Sequence, residues 1–200
     1  MVWSVQAAEL RGTVSVGSAE HPAPARYVTR ASTPHPQEST EHHIAVALER
    51  LDSTIALQVA DTPLVVAQEH TAFAPDLLVV PVGGQVTFPN HDAIFHNVFS
   101  YSPPHSFDLG RYPKGQTRTI RFTNPGIVRI FCEIHSSMYG SILIVNTNTY
   151  RVINAGDSFD FPDLAPGKYR VTAVDAAGRR SIRELTLGGN DEQSISLPLE

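Results

Sequence analysis

The chain has 200 residues, 42% of them hydrophobic, enough to bury one large core or two small ones. Its formal net charge of −5 comes without any Lys/Arg cluster of the kind that tracks phosphates, so nucleic acid is not an expected partner. No apolar run approaches the ~18 residues needed to span a bilayer, so no transmembrane segment is expected.

Residues 1–7 are similar to the tail end of a secretory signal, with Val5 and Ala7 at the small-residue positions before a cut. No basic start precedes them, so an ordinary frayed terminus is the alternative. The signal reading places the protein in the periplasm or outside the cell. Glu9 to Val16 puts Leu10, Val14 and Val16 on one face and reads as a strand. Gly17 to His42 is rich in Pro, Ser, Thr and His, lacks periodicity and reads as a loop or linker. Ile44 to Leu51 fits either a strand or a short helix, and Ile55 to Val59 is a weaker strand candidate.

From Leu64 onward the pattern is plainer. Leu64 to Gln68, Leu77 to Val82, Gln85 to Phe88, Thr117 to Phe122, Ile127 to Cys132 and Ser141 to Val145 are predicted strands. Pro125-Gly126 and Pro166-Gly167 are turn signals. Beyond them Tyr169 to Ala173, Ile182 to Leu187 and Ile195 to Leu199 are further strand candidates. Short strands at this spacing, without convincing long helices, predict an all-β sandwich.

Chemistry concentrates in Phe131-Cys132-Glu133-Ile134-His135-Ser136-Ser137-Met138. Cys132 is the only cysteine, so no intramolecular disulfide can form, and Met138 is the only methionine besides Met1. A lone thiol in an exported protein is open to oxidation unless something occupies it. A metal bond would occupy it; a buried, inert cysteine is the alternative. A soft thiolate with imidazoles favours copper, and a weak axial thioether completes a trigonal site of that type.

The second histidine must come from elsewhere. His96 is the best candidate, because Phe95 and Val98-Phe99 beside it suit a partly buried ligand. His91 is the rival, although Asn90 and Asp92 suggest a solvated turn around it. His21, His35, His42 and His43 fall in or beside the Pro-rich stretch, and His70 and His105 have no ligand-like partner at short spacing.

These residues resemble the cupredoxin family. Phe73-Ala74-Pro75 with Leu78 to Gly83 is similar to the family's entry strands, and Val86 to Asn90 to the strand leading to the first histidine. His96-Asn97-Val98 matches the His-Asn pattern at that ligand, and the short Cys-x2-His-x2-Met loop is similar to the amicyanin type. The resemblance implies a Greek-key sandwich over residues 64–147 holding one copper ion through His96, Cys132, His135 and Met138. It also implies an Asn97 backbone N–H on the Cys132 sulfur, and a His135 ring edge exposed through an apolar patch of Pro103, Pro104, Ile134 and Tyr139.

Over its whole length the chain resembles bacterial plastocyanin-like proteins of the methylamine-utilisation type. The run from Gly156 through Phe159, Phe161, Leu164, Pro166-Gly167 and Tyr169 to Val171 is similar to a carboxypeptidase-regulatory-like, transthyretin-like β-module. That assigns residues 148–200 to a second, smaller sandwich and residues 8–63 to strands and linker. The strand Glu9 to Val16 is expected to pair with the C-terminal module.

Three functions compete. One is a one-electron carrier with a transient protein redox partner near His135, and not an enzyme. Another is a copper-trafficking protein. The third is a catalytic copper site with Glu133 as carboxylate ligand, disfavoured because Glu133 follows Cys132 directly and should face the opposite side of the strand. A binuclear copper centre is excluded, since it needs a second thiolate. Zn(II) can also occupy such a donor set. The sequence specifies no oligomeric state.

Overall fold

A computed structural model describes residues 7–16, 42–103 and 105–200. The signal-like residues 1–6, the Pro-rich stretch except His42, and Pro104 lie outside the described residues. Among the described residues the chain is all-β, with 17 strands and no helix. None of its elements is therefore a helix long and apolar enough to cross a membrane.

The strands, in chain order, are β1 (Ala8–Val16), β2 (His43–Arg50), β3 (Leu64–Val65), β4 (Ala67–Glu69), β5 (Ala72–Ala74), β6 (Leu77–Pro81), β7 (Gln85–Pro89), β8 (His96–Ser100) and β9 (Phe107–Tyr112). They continue with β10 (Thr117–Arg121), β11 (Gly126–Phe131), β12 (Tyr139–Val145), β13 (Tyr150–Asn154), β14 (Ser158–Leu164), β15 (Gly167–Asp175), β16 (Arg180–Leu187) and β17 (Glu192–Leu199).

Two sandwiches result. In one, the sheet β10-β7-β3 faces the sheet β6-β12-β11-β8-β9, with the small hairpin β4-β5 alongside. Strands distant in sequence are neighbours here: β6 runs parallel to β12, and β8 lies between β11 and β9. Alternate residues of each strand point inward, so Val86 and Phe88 of β7 meet Val128 and Ile130 of β11 and Ile142 and Ile144 of β12. In the other sandwich, β14-β1-β17 faces β13-β2-β15-β16. Strand β1 is antiparallel to β14 and parallel to β17, so Glu9 to Val16 pairs with C-terminal strands. Gly12 lets this pairing close up, because a Cβ there would sit 2.4 Å from the Phe159 ring and 2.7 Å from the Ile195 carbonyl.

Strand β2 explains why Ile44 to Leu51 reads ambiguously. It is buried on both faces. Ile44, Val46 and Leu48 enter the core of the second sandwich, whereas Ala45 and Ala47 lie against Leu77, Val79, Leu143 and Val145 of the first. Small residues on that side let the two sheets approach, and the alternation of polar and apolar residues disappears. Val174 of β15 completes this junction.

The structure also corrects several expectations. Ile55 to Val59 is no strand: Ile55 and Val59 are exposed, and the run has no ladder partner among the described residues. Leu64 to Gln68 is split at Val66, which forms its own bond to the Thr87 carbonyl. Gly126 is already the first residue of β11 and pairs with Ile144, so Pro125-Gly126 leads into a strand. Strands β8, β9 and β13 have no predicted counterpart.

Candidate metal centre

Three elements bring the donors together. His96 opens β8, Cys132 directly follows β11, and the turn from Cys132 to Met138 leads into β12. The turn is closed by its own backbone: Cys132 N–H donates to the Met138 carbonyl at 3.1 Å, and Met138 N–H to the His135 carbonyl at 3.0 Å. It is tied to β8 by Glu133 N–H, which donates to Asn97 Oδ1 at 2.8 Å. The Asn97 contact found here is therefore made by its side chain, one residue beyond Cys132.

His96 Nδ1 and His135 Nδ1 are 3.1 Å apart, and each lies 3.8 Å from Cys132 Sγ. An ion bonded at about 2.0 Å to nitrogen and about 2.3 Å to sulfur can reach all three at once. The donor set fits a metal ion, and a thiolate with two imidazoles suits copper. His96, Cys132 and Met138 are buried, whereas His135 is partly exposed. Met138 packs in the same core as Cys132.

The tautomer of His96 follows from its other nitrogen. Nε2–H donates to Asp92 Oδ2 at 2.8 Å, which leaves the Nδ1 lone pair facing Cys132 and His135. Asp92 is itself held by the backbone N–H groups of His70 and Thr71 at 2.8 and 2.9 Å. Burial works to raise the Asp92 carboxyl, but the Thr71, His96 and His70 bonds outweigh it and hold it below its ordinary value. Asn90 braces the same loop: its Nδ2 donates to the carbonyls of Ile94 and Tyr112, and its Oδ1 accepts Asp92 N–H. Burial, and then repulsion from His96, pushes the His135 pKa below its ordinary value, which favours the neutral ring a metal requires.

His91 lies apart from this group, half-exposed with Nδ1 3.5 Å from Glu69 Oε2. His105 is buried beside the Asn124 carbonyl, and His43 sits 3.6 Å from Asp76. His21 and His35 fall outside the described residues. Glu133 turns away from the donors and pairs with Arg111. Phe95 does not shield His96 but is 54% exposed, next to exposed Ile94. Ile134, Tyr139 and Pro103 are exposed as well. Asp92, which holds His96 Nε2, is the residue of the candidate site that sequence reasoning misses. Its only signal is a carboxylate four residues before the histidine, indistinguishable from the solvated turn expected there.

No family model matches the chain, and no curated protein matches it. Among solved structures it is similar to a purple cupredoxin from Nitrosopumilus maritimus, at 20% identity over 41% of this chain and 99% of that one, with a TM-score of 0.37. It is similar to an amicyanin variant in its oxidised state, at 27% identity over 44% of this chain and 87% of that one, TM-score 0.40. It is also similar to a copper-containing nitrite reductase from Thermus scotoductus SA-01, at 23% identity over 66% of this chain and 28% of that one, TM-score 0.41. These three similar structures are thus two cupredoxins and a copper-containing enzyme.

Proposed function

We propose that the chain is a mononuclear blue-copper protein that carries one electron at a time, with His96, Cys132, His135 and Met138 as ligands. The observation that supports this reading best is the convergence of two Nδ1 atoms and the only thiol on one point. Bound there, copper supplies a Cu(II)/Cu(I) couple. The residues do the rest. Asp92 keeps the His96 lone pair aimed at the site, and the closed turn presents Cys132, His135 and Met138 together. Burial of His96, Cys132 and Met138 excludes water, and a buried thioether is the weak, soft donor such a site uses. Held groups move little when the charge changes, which suits a carrier better than a site built to hand its ion over.

On this reading a transient protein partner docks near His135, the most exposed of the four, and buries little area, as redox encounters do. The protein acts in the periplasm or outside the cell and is not an enzyme; the engagement of Glu133 with Arg111 and of Asp92 with His96 favours that over a catalytic copper site. We assign residues 64–147 to a cupredoxin domain. Residues 148–200, with the strands of 8–63, make up a transthyretin-like module of the carboxypeptidase-regulatory-like type, as the pairing of β1 and β2 with C-terminal strands suggests.

The test is a visible spectrum of the metal-free protein after adding Cu(II). An intense thiolate-to-copper band is expected, absent in Cys132→Ser and His96→Ala and retained in His91→Ala. No band in the parent protein, or its loss only in His91→Ala, overturns the assignment. Rapid loss of copper to a weak chelator, without a reversible potential, replaces the carrier reading with trafficking.

A further inference from the structure

The strand that delivers Cys132 carries a cation on its other side. Arg129 and Phe131 share the face of β11 opposite the one that enters the first core. The Arg129 guanidinium carbon lies 4.9 Å from the centre of the Phe131 ring. Its stem lies against the turn between β15 and β16, in the other sandwich. A Cβ on Gly178 would fall 2.6 Å from Arg129 Cδ and 2.9 Å from Nε, and Gly178 has a φ of +80°. That turn is anchored to β12, because Ser141 Oγ donates to the Ala176 carbonyl at 3.0 Å.

Arg129 Nε is buried and has no hydrogen-bond partner among the described residues. Asp175, whose field favours the Arg129 charge, is committed elsewhere: its two oxygens accept the backbone N–H and the Nε–H of Arg179 at 2.9 and 2.6 Å. Burying a cation this way is costly, and a neutral side chain of similar volume would pack there more cheaply. Guanidinium nonetheless stays protonated. Its charge is therefore a fixed feature of the sheet directly behind Phe131-Cys132.

We propose that Arg129, held in place by the β15–β16 turn of the C-terminal sandwich, raises the reduction potential of the centre. The proposal rests on the copper reading. A fixed positive charge disfavours the oxidised centre, which carries one more positive charge than the reduced one, so it shifts the couple towards Cu(I). It also gives the C-terminal sandwich a part in the chemistry, as the body that holds the cation against the sheet.

The experiment compares the copper-loaded full chain with Arg129→Met, Arg129→Gln and Arg129→Lys by voltammetry, with the visible band recorded for each. Both neutral variants are expected to lose about tenfold in preference for Cu(I), or about 59 mV for one electron, with the band unchanged. Lys, which keeps the charge, is expected to stay within about threefold of the parent. The metal-free neutral variants should unfold at the same or a higher temperature, since a partly buried cation whose Nε finds no partner among the described residues has been removed. An unmoved potential in the neutral variants with the band intact overturns the proposal alone. So does a loss of potential in all three variants together with a lower unfolding temperature, the mark of a purely structural residue. A parent protein with no thiolate-to-copper band removes the copper reading, and this proposal with it.

Discussion

The core between β14-β1-β17 and β13-β2-β15-β16 is closed by Ala, Leu, Val, Ile and Phe with a single tyrosine, Tyr169. The core between β10-β7-β3 and β6-β12-β11-β8-β9 takes in Cys132, Met138 and Tyr112, with Gln68, Asn90, His96 and Asn97 buried in the same sandwich. Polar groups out of water are costly unless bonded, and here they are linked in chains that leave Gln68 Oε1 and Asn97 Nδ2 without a partner among the described residues. Gln68 donates to the Tyr112 hydroxyl, which donates to the Phe88 carbonyl; Asn90 bridges the Tyr112 and Ile94 carbonyls. One core is built to be stable, and the other spends part of its volume on holding donors in place. Substitutions in the two should therefore be read by different instruments.

The largest expected effect is on the apolar side. Phe161 is fully buried against Phe159, and Phe161→Ala should cost about 3–5 kcal/mol in denaturant unfolding. The copper band should survive at denaturant concentrations where the variant is folded. A loss of the band in the folded variant would break the division of labour between the cores. Next comes Asp92→Ala, which frees His96 Nε2 and leaves the His70 and Thr71 N–H groups without their acceptor. Copper affinity should fall about 10- to 100-fold in competition with a chelator of known strength. An unchanged affinity would mean that the loop alone orients His96.

The smallest effect sharpens the same contrast through pH. Burial, partly offset by the Gln68 bond, pushes the Tyr112 hydroxyl from 10.0 up to about 12. Its folded pKa lies above the unfolded one, so its contribution to stability is complete below pH 10 and is lost as pH rises through about 12. Unfolding midpoints measured over that window should fall more steeply for the parent than for Tyr112→Phe. Equal slopes would show that another group titrates there.

The grouping of His96, Cys132 and His135 is legible in the sequence because cysteine and methionine are so scarce in it that their spacing stands out, and because His96 sits among apolar residues. The rest of the site is not legible, for physical reasons. Asp92 acts through a loop whose shape depends on Asn90 reaching carbonyls at Ile94 and at distant Tyr112, and no local pattern encodes that reach. Strand β8 escapes detection because it is buried along its whole length and three of its residues are His96, Asn97 and Ser100. Polar residues there serve the site and its bracing, so the strand shows neither alternation nor an apolar run. Hydrophobicity alone predicts Phe95 as cover for His96, yet the side chain is exposed. Ile55 to Val59 has strand-like composition but no strand to pair with among the described residues, its backbone bonding the Asn148 side chain instead, which composition cannot reveal.

One feature of the topology bears on how such a molecule can be rebuilt. Strand β2 leaves for the sandwich that holds His96, Cys132 and His135, and the chain comes back as β13, its antiparallel neighbour, with Ala47 opposite Tyr150. The excursion thus departs and returns through adjacent positions, the arrangement a simple hairpin would have. A tight turn could close β2 onto β13 directly, and the same two strand ends could accept a different guest without rerouting the host.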